Sequence, residues 1–106
     1  MNGIASRLVL LHMELKDIEF TQEIRDGLYR KDDDHDVVKC MVAVIKVTMN
    51  KLYEFEILQC DKSAIWVVNV RKRGRYVIQA ARFDNVYRLM DWVRLFNHVL
   101  EGGSLR

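Results

Sequence analysis

The chain has 106 residues, half of them hydrophobic and 30% charged, with a formal net charge of +2. That is the size of one domain with enough apolar material for a core, and a charge this small does not mark a nucleic-acid-binding domain. There is no run of about 18 apolar residues, so no membrane span is expected, and two cysteines are too few for a disulfide scaffold.

The net charge hides an asymmetry. Residues 1–60 hold eight Lys/Arg against eleven Asp/Glu, whereas residues 61–106 hold nine against four. Two regions of opposite sign suit electrostatic orientation toward a partner or between copies. The chain has no proline and five glycines, and neither a linker nor a repeat is visible, so residues 1–106 read as a single α+β domain.

In the N-terminal third, Ile4, Leu8, Leu11, Leu15 and Ile18 fall at helical spacings, while Leu11 to Leu15 also alternates as a strand would. Arg7, His12 and Glu14 interrupt this segment and no small-residue cleavage site follows, so it does not read as a signal peptide. The expectation is a strand or short helix near 7–15. A helix over roughly 21–30 follows, capped by Thr21 or Asp17, with Ile24 and Leu28 four apart on one face.

Arg30 to Asp36 is a charged loop. Val37 to Met49 is apolar on both faces of a strand, as expected of a strand covered on both sides or buried by a partner. Asn50-Lys51 turns the chain into Tyr53, Phe55 and Ile57, which alternate with Glu54 and Glu56. After a turn at Asp61-Lys62-Ser63, residues 65–80 form a hairpin. A three-residue loop, Lys72-Arg73-Gly74, would place Trp66, Val68 and Val70 against Ala80, Ile78 and Tyr76 on one apolar face. It would also oppose Arg71 to Arg75, a like-charge pair that costs roughly 0.2–1 kcal/mol.

A C-terminal helix runs from Asp84 or Asn85 to Leu100 and stops at Gly102-Gly103. Val86, Leu89, Met90, Val93, Phe96 and Leu100 form its core stripe. A second set, Trp92, Leu95 and Val99 with Arg88 beside it, suits an interface. The expected fold is thus α+β: a four- to five-stranded antiparallel sheet, with a meander over 37–81 and N- and C-terminal helices on one face. If the first segment is a strand, the order is β-α-β-β-β-β-α. That order resembles TATA-binding-like folds and the kinase-associated C-terminal domains, and the likeness implies an acidic-lipid or regulatory module.

No catalytic constellation is legible. Cys40 and Cys60 lie inside apolar strands on what read as neighbouring strands, where thiols are packing, and a reduced pair is expected. His12, His35 and His98 lack zinc-ligand spacing, and the Asp32-Asp33-Asp34-His35-Asp36 run lacks the pattern of a calcium loop. No metal or cofactor is expected. The basic set Arg71, Lys72, Arg73, Arg75 and Arg82 with Tyr76 suits an anionic partner, since guanidinium forks match phosphate or carboxylate. The expectation is a non-enzymatic intracellular, cytoplasmic binding module. It would associate with itself or a protein partner through the C-terminal helix and the basic hairpin, with nucleic acid as the alternative ligand of residues 71–75.

Overall fold

In a computed structural model, which describes residues 3–16, 18–30, 37–49 and 52–100, the helical spacing of the N-terminal segment prevails. Ile4, Leu8 and Leu11 form one buried stripe of α1 (Gly3–Glu14), and Leu15, just past its end, continues it. Five strands follow: β1 (Phe20–Arg30), β2 (Val37–Met49), β3 (Tyr53–Cys60), β4 (Trp66–Lys72) and β5 (Arg75–Phe83), and α2 (Val86–Leu100) closes the chain. The strands pair in sequence order, each antiparallel to the next.

The expected α+β class, antiparallel sheet and pair of terminal helices are all present, but residues 20–30 are a strand and not a helix. The chain order is therefore α-β-β-β-β-β-α, and the likeness of element order to the kinase-associated domains does not hold. The helical expectation failed for a definable reason. On one face of β1 apolar and polar residues alternate, as Phe20, Gln22, Ile24, Asp26, Leu28, Arg30, so apolar side chains recur every fourth residue. A helix stripe has the same interval.

Both helices pack on the sheet face formed by Ala43, Ile45, Val47, Phe55, Ile57, Trp66, Val68 and Val70. Leu89, Met90 and Val93 of α2 and the stripe of α1 complete the core. The start of α2 is fixed by Asn85, whose Oδ1 accepts the backbone N–H groups of Tyr87 at 2.7 Å and Arg88 at 3.3 Å; such a cap satisfies donors the helix cannot. α1 is fastened at both ends. Arg7 Nη1 donates to Gln59 Oε1 and to the carbonyls of Cys60 and Ser63 at 2.6 to 3.0 Å, and Glu14 meets Arg94 of α2 at 2.6 Å.

The hairpin differs from the expected one. Its turn is the two-residue Arg73-Gly74, with φ of 53° and 81°, the positive pair that a hairpin turn matching the strand twist requires. Such a turn would mismatch the faces of an unbroken ladder, and two bulges repair the mismatch. The register shifts between Val68 and Val70 and again between Val70 and Arg71, so Trp66 faces Phe83, Val68 faces Ala81 and Val70 faces Ile78. Arg71 faces Tyr76, not Arg75, and Tyr76 lies on the helix-free face; the like-charge pair at the turn is Lys72 with Arg75.

Candidate functional site

The strands bring Arg71 into a polar cluster on the helix-free face. Cross-strand pairing sets Glu54 opposite Arg71 and Glu56 opposite Asn69. Arg71 reaches Glu54 at 3.8 Å and Glu56 at 3.6 Å. Its Nη2 donates to the Tyr76 hydroxyl at 2.8 Å, and its guanidinium lies 4.7 Å from the centre of that ring. The hydrogen bond to Tyr76, with the two carboxylates, raises the Arg71 pKa further. Asn69 Nδ2 donates to Glu56 Oε1 at 3.0 Å, so Glu56 is nearly buried without being unpaired.

This divides the six sequence-predicted anion-binding residues. Arg71 and Tyr76 are engaged by their own chain. Lys72, Arg73 and Arg75 stand exposed at the turn and pair with no carboxylate among the described residues; Lys72 Nζ lies 5.5 Å from the Tyr53 ring. Arg82 sits at the far end of β5, opposite Val67. There it borders a shallow cleft of about 150 Å³ between Tyr29, Val42, Leu58 and Cys60. Three of the five cations therefore gather at the tip, while Arg82 stands apart from them.

The proposed helix interface divides likewise. Trp92 packs inward, with ring centres 5.3 Å from Phe83, 5.7 Å from Phe96 and 6.1 Å from Phe55. Leu95 is exposed, and Arg88 is an exposed partner of Asp84 at 3.8 Å. The side chain of Val99 lies outside the described residues, as do the Asp32 to Asp36 run, Asp17, the Asn50-Lys51 turn and Gly102-Gly103.

Cys40 and Cys60 meet on the helix-free face as free thiols. Their sulfurs and a carboxylate oxygen of Asp61 lie within 4.8 Å of one another. The set falls one ligand short of a closed zinc site, and Asp61 Oδ1 already accepts the Met41 N–H at 3.0 Å. Burial, with the neighbouring Cys60 thiol, pushes the Cys40 pKa up to about 11.

A surface that sequence reasoning missed is the ribbon of β1 and β2. Its last four pairs, from Gly27 opposite Cys40 to Arg30 opposite Val37, reach past the end of β3. On its helix-side face Ile24, Leu28, Val37 and Met41 are exposed, Leu28 at 72%. Reading residues 21–30 as a helix concealed this surface. The aromatic and β-branched content of Phe20, Thr21, Ile24 and Tyr29 was the signal for a strand. Among the described residues no helix is long and apolar enough to cross a membrane. No family model, curated relative or solved structure matches the chain.

Proposed function

We propose that the chain is a non-enzymatic protein-binding module whose contact surface is the β1–β2 ribbon. The observation that carries this is the exposed apolar set Ile24, Leu28, Val37 and Met41, interspersed with exposed Asp26, Arg30 and Lys39 on the same face of that ribbon; exposed apolar groups set among polar ones suit a protein contact. The tip cations Lys72, Arg73 and Arg75 supply orientation and on-rate toward an acidic surface. Arg71 is held on the helix-free face by Glu54, Glu56 and Tyr76, with Asn69 donating to Glu56, which suits a structural role better than a reacting one. A reducing intracellular setting accords with two free thiols.

A second reading, nucleic-acid binding by the turn, is favoured by one feature: Lys72, Arg73 and Arg75, without a carboxylate partner among the described residues, gather at one tight turn, and clustered cations attract phosphates. Site-specific photocrosslinking in cells separates the two. A benzophenone amino acid at Leu28 is expected to give protein adducts. Nuclease-sensitive adducts from Arg73, with none to protein from Leu28, would overturn the first reading in favour of the second.

A further inference from the structure

The two edges of the sheet are unlike. β5 carries two register shifts and a residue at positive φ, Ala80; bulges of this kind keep an edge from pairing. β1 has no such bulge. Its eleven residues pair with β2 without a shift, none has positive φ, and most of its side chains are exposed. Every second residue of such a strand turns its N–H and C=O groups away from its neighbour, toward whatever adds next.

We propose that β1 pairs antiparallel with β1 of a second copy of this chain, about a two-fold axis through Ile24, so that two five-stranded sheets become one of ten strands. This rests on the protein-association reading above and names its occupant. The choice of a second copy comes from self-complementarity. A two-fold perpendicular to a sheet keeps each face on its own side and pairs residues of equal parity. With the axis at Ile24, Glu23 of each copy faces Arg25 of the other, twice per dimer. On the helix side Phe20 faces Leu28 and Ile24 faces Ile24, bringing the apolar positions of β1 together; Gln22 faces Asp26, and Thr21 faces Gly27.

The two adjacent registers are worse. An axis at Glu23 opposes that carboxylate to itself, and an axis at Arg25 opposes that guanidinium to itself. An axis at Asp26 repeats the fault, and like charges directly opposed destabilise a sheet. The pairing has support beyond the strand. His12 of α1 overhangs β1, its Nε2 2.6 Å from Gln22 Oε1 and its ring 5.3 Å from that of Phe20. Beside it Val9 and Met13, one turn apart, are 56% and 64% exposed. The same axis draws this flank of each α1 toward the junction.

Light scattering on the full chain at known concentration, with a charge-swap cycle, tests the register. The wild type is expected to show twice the chain mass. Glu23→Arg and Arg25→Glu singly each place two like-charge pairs in the dimer and raise its Kd by about tenfold or more, and the double variant E23R/R25E restores it. Neither side chain has an ion-pair partner within the described chain, so circular dichroism and melting of the three variants should match the wild type. A wild type that remains monomeric at about 100 μM, a dimer indifferent to both single swaps, or a double variant no better than the singles would overturn the proposal. Heterologous protein adducts from Leu28 with a monomeric mass would sink the dimer alone, whereas absence of any protein adduct would sink the underlying reading.

Discussion

The side-chain oxygen of Asn69 accepts the backbone N–H of Ala80 at 2.8 Å, where β5 carries an extra residue that β4 has no backbone partner for. The same amide donates to Glu56, so one residue closes the bulge and joins it to the Arg71 cluster. Asn69→Ala should therefore cost about 1–2 kcal/mol, from an orphaned N–H and a carboxylate that loses a donor. Chemical denaturation measures this, and a loss below about 0.3 kcal/mol would show that solvent satisfies both groups.

Arg71 sits between Glu54 and Glu56 and over Tyr76. Arg71→Ala should destabilise by about 1–3 kcal/mol because nearly buried Glu56 loses its cation and keeps only the Asn69 amide. Glu56→Gln in the same background should recover part of the loss. Additive effects of the two substitutions, read from melting curves, would mean that the groups are not coupled.

The turn holds a residue in the left-handed region at Arg73, where asparagine is far better tolerated. Arg73→Asn should raise stability by about 0.5–1 kcal/mol. Its thermal midpoint should rise even though a tip charge is lost.

Cys40 is buried and its thiol titrates near 11, above the ordinary value of 9.0. The fold thus favours the protonated form, and the stabilisation this represents is complete below about pH 9. It diminishes as pH rises toward 11, because the unfolded chain releases the proton first. Stability measured from pH 8 to 11 should fall across that window, and a Cys40→Ser variant should fall less. At neutral pH a thiol reagent should modify the less buried Cys60 before Cys40.

Two residues of the sequence-predicted helix interface should behave oppositely. Trp92→Asp is expected to lose about 3–5 kcal/mol through disruption of the Phe55, Phe83 and Phe96 cluster. Leu95→Asp should stay within about 0.5 kcal/mol of wild type. Urea titrations of the two variants compare them directly.

The parts of this fold that were legible in the sequence are those where one period dominates. The alternation of Tyr53, Phe55 and Ile57 with glutamates gave β3, and Val86, Leu89, Met90 and Val93 gave α2 with Asn85 or Asp84 as its cap. Residues 20–30 were not legible because an interval of four fits both a helix stripe and every second position on one face of a strand. The hairpin register was not legible either. Parity arguments assume an unbroken ladder, and bulges set by a positive-φ alanine and an asparagine side chain leave no period behind. For the site, the sequence offered five cations in proximity. Only packing could show that Arg71 is engaged internally and Arg82 is remote.

The polar clasp of Arg7 bears on the order in which the molecule assembles. It grips Gln59, Cys60 and Ser63, residues 52 to 56 positions further along the chain, and the apolar stripe of α1 likewise lies on strands that follow it. Closing so long a loop is entropically unfavourable until the receiving surface exists. α1, which precedes these strands in the chain, is therefore among the last elements to acquire its native surroundings, and the β3–β4 connection acts as its latch.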